Sequence, residues 1–126
     1  MSLHDKLGNY LKVCDNIEPI LGYKKSEIIG KSAYEFFNPD FLPVIVKSHL
    51  SSVLTSVKYQ LVNKNGKFIY VNTLSFRTVD DGENKDDQIY CVTKKMNEFE
   101  IIIFKIFLVV QEITKKIKFI KLKLLS

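Results

Sequence analysis

The run VNKNGKFIYVNTLSF, residues 62–76, constrains this chain more than any other stretch. An Asn-Gly step is a strong hairpin signal, and Asn65-Gly66 is followed by residues that alternate as a strand does. One set of side chains is Phe68, Tyr70, Asn72, Leu74 and Phe76; the other is Ile69, Val71, Thr73, Ser75 and Arg77. Strand side chains have a period of two, so a one-residue change of register sends the opposite set to the core. A two-residue Asn65-Gly66 loop pairs Leu61 with Tyr70 and Tyr59 with Asn72. A three-residue loop, Lys64-Asn65-Gly66 with Gly66 left-handed as a bulge, groups Tyr59 and Leu61 with Ile69, Val71 and Thr73.

The rest of the chain sets the hairpin in context. SLHD and YLKVCD (10–15) read as a pair of short strands about a Gly8-Asn9 turn. NIEPILGY reads as one or two helical turns, with Asn16 as cap and Gly22 as stop. Ser26 precedes a second short helix closed by Gly30, and SAYEFF a third, ended by Asn38-Pro39. Residues 40–54 are the longest helix candidate, with Asp40 as cap and Pro43 in the first turn. Leu42, Ile45, Val46, His49, Leu50 and Val53 recur there at helical spacing. DDGENKDD (80–87) is a charged loop, and QIYCVTKK (88–95) a last strand. Short helices grouped in one part and hairpin-linked strands in the other predict an α+β domain, an antiparallel sheet with helices on one face.

Length and charge narrow the class. The chain has 126 residues, room for one domain, and a net charge of +5. Residues 99–126 carry six Lys against two Glu, so residues 1–98 hold only +1. A near-neutral globular part argues against a dedicated nucleic-acid surface. Cys14 and Cys91 make no disulfide framework and MSLHDKLGNYLK is no secretory signal, so free thiols in a reducing, intracellular setting are expected. No hydrolytic constellation is present: there is no Gly-rich phosphate loop and no His-Glu-x-x-His, and Ser48 and His49 are helix neighbours facing apart. An enzyme is not expected, and no metal site, since His4 and His49 lack ligand spacing.

Residues 99–126 break the pattern. Ile, Phe, Lys and Leu make up 21 of these 28 residues, with no Gly, Pro, Asn or Asp. Three readings stand open: an amphipathic membrane segment, a partner-binding helix, or a stretch of non-native origin, since translated AT-rich non-coding sequence has this bias. Lys105, Gln111 and Glu112 interrupt a run too short to span a bilayer.

Four stretches in order resemble the PAS domain, in particular the second PAS repeat (PAS-B) of basic helix-loop-helix–PAS transcription factors. They are LGYKKSEIIGKSAYEFFNPDF, VKSHLSSVL, YQLVNKNGKFIYVNT and QIYCVTKKMNE. VKSH leans toward hypoxia-inducible-factor-like subunits and NTLSF toward those like the aryl hydrocarbon receptor nuclear translocator. Tyr70 departs from the family, which usually has Trp there, and the first strand is clipped. The resemblance implies a five-stranded antiparallel PAS sheet over residues 1–98, and the three-residue hairpin loop.

It also implies two candidate sites. The outer sheet face, with Phe68, Tyr70, Asn72, Leu74, Phe76, Tyr90 and Val92, is expected to bind another PAS-domain protein or a transcriptional coactivator in the nucleus, or in a protein shuttling there from the cytoplasm. The chain holds no basic region, so no direct DNA contact is expected, and no membrane partner. The alternative is a sensor with a ligand pocket lined by Phe37, Ser48, His49, Tyr59, Leu61, Val71, Thr73, Cys91 and Thr93. No cofactor is expected; haem on His49, or another small ligand, belongs to that alternative. The Asn-Cys-Arg motif of the flavin-binding branch is absent.

Overall fold

The computed structural model describes residues 1–51, 54–78 and 88–126. The expected 80–87 loop and Val53 lie outside them. The described chain forms two compact units, Met1–Lys95 and Met96–Ser126.

The first unit is an α+β domain. Its strands are β1 (Ser2–Asp5), β2 (Tyr10–Val13), β3 (Thr55–Val62), β4 (Phe68–Arg77) and β5 (Gln88–Lys95). They form one antiparallel sheet in the order β2-β1-β5-β4-β3. Three helices, α1 (Ile17–Leu21), α2 (Lys25–Ile28) and α3 (Leu42–Leu50), and two 3-10 turns, Ala33–Glu35 and Pro39–Phe41, lie between β2 and β3 in sequence.

Local chemistry explains the turns. In the β1–β2 turn the Asp5 carboxylate accepts from the Leu7 and Asn9 amides and from the Asn9 side chain, each at 2.9 Å. The β3–β4 turn is built on Asn63, whose side-chain oxygen accepts from the Asn65 amide at 3.0 Å and the Lys67 amide at 2.8 Å. The Asn63 carbonyl accepts from Gly66, and the Asn63 amide donates to Lys67. Gly66 has φ +81°, so the loop is Lys64-Asn65-Gly66, three residues long. The register that follows pairs Leu61 with Ile69, Tyr59 with Val71 and Val57 with Thr73. Val71, Thr73 and Ser75 are buried, whereas Phe68, Leu74 and Phe76 are exposed.

The core lies between the inner sheet face and the helices. Leu21, Ile28 and Val71 are fully buried, and Tyr10, Phe36, Phe37 and Leu61 pack with them. Phe36, at the end of the first 3-10 turn, sits edge-on to Tyr10 of β2 and to Tyr23 just after α1, with centroids 5.8 and 5.3 Å apart. Each large side chain buried this way stabilises the fold by about 1.5–3 kcal/mol. Residues 36–38 also run along the outer edge of β3: the Val62 amide donates to the Phe36 carbonyl and the Asn38 amide to Gln60.

Several helix boundaries differ from expectation. The long helix is α3, residues 42–50 rather than 40–54. Ser51 takes an extended conformation, and the chain turns there toward β3. Asp40 is not the cap; Asn38 accepts from the Asp40 amide and opens a 3-10 turn that leads into α3. Leu42 and Leu50 are exposed, and Ile45, Val46, Ser48 and His49 are half-buried, so α3 places no side chain fully in the core. Asn16 precedes α1 without a side-chain cap, and α2 begins after Lys24, with Ser26 inside it.

The second unit is α4 (Glu98–Leu125), a 28-residue helix. Its start is a capping box: the Glu100 amide donates to the Asn97 side chain at 2.8 Å, and the Asn97 amide to the Glu100 carboxylate at 3.3 Å. Among the described residues no helix is long and apolar enough to cross a membrane.

Positive φ makes two glycines testable. A Cβ on Gly66 meets nothing within 4 Å, so Gly66→Ala carries backbone strain alone, about 1 kcal/mol. At Gly8, φ +90°, a Cβ comes within 3.1 Å of the Tyr34 ring and 3.3 Å of His49. Urea unfolding should therefore show a larger loss for Gly8→Ala than for Gly66→Ala; equal losses refute the close packing at Gly8.

Candidate functional site

The sheet offers two faces of different chemistry. On the outer face the register lines up three rows across the strands. Leu3 lies beside Tyr90, which lies beside Phe76; Val92 lies beside Leu74; and Lys94 lies beside Asn72, which lies beside Lys58. The Phe76 and Tyr90 rings stack, with centroids 5.1 Å apart and planes 10° from parallel. Leu74, Phe76 and Val92 are 42–44% exposed, which leaves a joined apolar group in water.

The seven outer-face positions named from the sequence all project to this side. They fall into two groups. Leu74, Phe76, Tyr90 and Val92 are contiguous. Phe68 and Tyr70 lie nearer the hairpin tip, beyond the polar row of Lys58, Asn72 and Lys94. The Ser56 hydroxyl, from the neighbouring row opposite Leu74, donates to the Asn72 side chain at 3.1 Å.

The inner face lines a partly open cavity of about 120 Å³ between the sheet and the helices. Phe37, Ser48, His49, Tyr59, Leu61, Thr73, Cys91 and Thr93 line it. Val71 does not: it is fully buried in the core beneath, so its place among the pocket residues is corrected. Hydroxyl pairs step across the wall. Tyr59 reaches Thr73 at 2.9 Å and Thr73 reaches Thr93 at 2.8 Å. Thr55 meets Ser48 at 2.8 Å and Ser75 at 2.9 Å. Desolvation pushes the Tyr59 phenol up to about 12 and the Cys91 thiol up to about 11, so both are neutral at physiological pH.

Both histidines belong to this wall. His49 Nε2 donates to the Lys6 carbonyl at 2.8 Å, and the Tyr34 hydroxyl lies 2.6 Å from Nδ1. Both ring nitrogens are thus engaged. His4 Nδ1 donates to the Gly8 carbonyl at 3.3 Å, and Nε2 lies 2.8 Å from the Ser2 hydroxyl. His4 is buried against Tyr10, and desolvation lowers its pKa to about 4. Sequence reasoning passed over His4, Tyr34, Thr55 and Ser75 as site residues. Thr55 and Ser75 keep the period-two spacing of Tyr59 and Thr73, and that signal identifies them once the register is known.

The family model for the PAS domain matches residues 2–100. The Drosophila melanogaster protein "Circadian locomoter output cycles protein kaput" is 26% identical over 105 residues, 80% of this chain. The chain spans about a tenth of that relative's length, the match covering 10% of it. Among solved structures, Drosophila melanogaster Cycle PAS-B with bound ethylene glycol superposes with a TM-score of 0.70 at 19% identity, over 75% of this chain and 97% of that one. The PAS domain of an HTR-like protein from Haloarcula marismortui gives a TM-score of 0.60 at 18% identity, over 75% of this chain and 78% of that one.

The His4 environment has a pH consequence. The unfolded chain takes up a proton near pH 6.5, whereas the folded chain resists it to about pH 4. Stability should therefore fall as pH drops between those values, by at most about 3 kcal/mol from this group. Urea unfolding at pH 7 and pH 4.5 should show a smaller pH-dependent loss for His4→Gln than for the parent chain. Equal losses in the two proteins rule His4 out.

Proposed function

The chain belongs to the PAS domain family, and we propose that it acts as a protein–protein interaction module that heterodimerises through its outer sheet face. The exposed Leu74, Phe76 and Val92, with the half-buried Tyr90 beside them, carry this reading. A stacked aromatic pair beside two aliphatics has the makeup of an interface anchor, and the Lys58–Asn72–Lys94 row supplies a polar rim. A standard interface takes about 800 Å² from each partner, within reach of a five-stranded face. The relationship to circadian basic helix-loop-helix–PAS factors supports a partner of that class, another PAS-domain protein or a coactivator, met in the nucleus. Titration calorimetry of the chain against purified PAS domains of such factors tests this. Phe76→Asp and Leu74→Asp should each weaken binding at least about 30-fold, the loss of a hot-spot residue. Unchanged affinity in both variants, with the domain still folded, rules out this face.

A second reading rests on the cavity. Its volume, about 120 Å³, suits a molecule of a few heavy atoms, and its hydroxyl-lined wall suits one that carries hydroxyls. The Cycle PAS-B structures contain ethylene glycol in one case and glycerol in another. In this reading Tyr59, Thr73 and Ser48 bind a small polyol, and the engaged His49 helps to wall the site. A nuclear magnetic resonance titration with ethylene glycol should shift the amides of Thr73, Ser75 and Thr93. Ser75→Leu, which fills the space, should abolish those shifts; shifts that survive in this variant place the molecule elsewhere.

A further inference from the structure

Helix α4 carries an apolar stripe that nothing above explains. Phe99, Ile106, Ile113 and Ile120 lie in one column, and Ile103, Val110, Ile117 and Leu124 in another, interleaved at alternating spacings of four and three. This is an unbroken heptad repeat over nearly the whole helix, about 42 Å long at 1.5 Å per residue. Every one of these side chains is in water; the least exposed, Ile117, is 50% exposed. The three α4 residues that are not exposed, Ile101, Phe104 and Leu108, lie off the stripe.

We propose that α4 pairs antiparallel with α4 of a second copy of this chain. The sequence is self-complementary in that orientation. Phe99 packs opposite Leu124, Ile103 opposite Ile120, Ile106 opposite Ile117 and Val110 opposite Ile113, so each layer joins one column to the other about a two-fold axis. The flanking charges choose the direction. Antiparallel pairing sets Glu100 beside Lys121 twice over. It also brings the acidic start of one helix, Glu98 and Glu100, to the basic end of the other. Parallel pairing sets Lys116 of one copy against Lys121 of the other, a like-charge contact. This interface uses none of the sheet-face residues.

Light scattering of the full chain on a sizing column should show a species of twice 14.6 kDa. Ile113→Asp, at the middle layer, should make it monomeric, while Phe76→Asp on the sheet should leave the dimer intact. Lys121→Glu separates the two directions. In the antiparallel dimer it places Glu against Glu100 and should raise the dissociation constant about tenfold, and Glu100→Lys in the same chain should restore it. In a parallel dimer Lys121→Glu removes a repulsion and tightens binding. A monomer throughout the micromolar range, a dimer that survives Ile113→Asp, or an affinity unchanged or tightened by Lys121→Glu overturns the proposal. So does a monomer that co-sediments with phosphatidylserine–phosphatidylcholine vesicles, which assigns the stripe to a lipid surface.

Discussion

Asn63 sets the register on which the rest of the domain depends. Its side-chain oxygen gathers two loop amides and its carbonyl a third, and this closes the hairpin over three residues rather than two. The loop is also held from outside. The Lys64 amide donates to the Leu21 carbonyl at the end of α1, and the Lys64 ammonium meets Glu27 at 2.6 Å. The exposed ion pair adds little by itself, but the backbone bond from Lys64 to Leu21 ties the loop to the end of α1. With the register fixed, hydroxyls and small aliphatics of β4 face the helices and its large apolar side chains face away. One residue of slip exchanges the two faces.

The two faces then differ in what they can hold. Inside, the strand hydroxyls pair with one another and satisfy their hydrogen bonds without placing a charge in a low-dielectric space. Space remains beside α3, which is nine residues long and contributes no buried side chain. Outside, stacked aromatics and aliphatics lie in water beside a polar row. An inner wall of neutral hydrogen bonds and an outer apolar face suit different kinds of partner, and they share β4 and β5.

Element order and strand positions were legible because period-two runs and their punctuating Asn, Gly and Pro residues are local signals. The end of α3 was not. Leu50 and Val53 continue the helical period in the sequence, yet Ser51 is already extended and β3 begins at Thr55. The outer-face residues were legible as a set, but their division by Lys58, Asn72 and Lys94 requires the register of three strands at once. His4 was hidden for a similar reason: it enters the cavity wall through the position of β1 between β2 and β5, which no local pattern reveals. The bias of residues 99–126 toward Ile, Phe, Lys and Leu drew attention to composition, and the helix shows that the same residues are ordered along two columns.

The strand order has a consequence for how the chain is made. Of the described strands of this sheet, the first in sequence, Ser2–Asp5, ends as an interior strand whose second neighbour, Gln88–Lys95, is the last in sequence. Until that strand emerges, the amino-terminal hairpin keeps one side of its backbone open, and β3 with β4 forms a separate ribbon with an open edge of its own. Closure joins residues more than eighty positions apart in a single step, which is slow because so long a loop must first be gathered. Two unfinished half-sheets therefore stand side by side only between the completion of Phe68–Arg77 and the emergence of Gln88–Lys95, and both become complete with the same few residues.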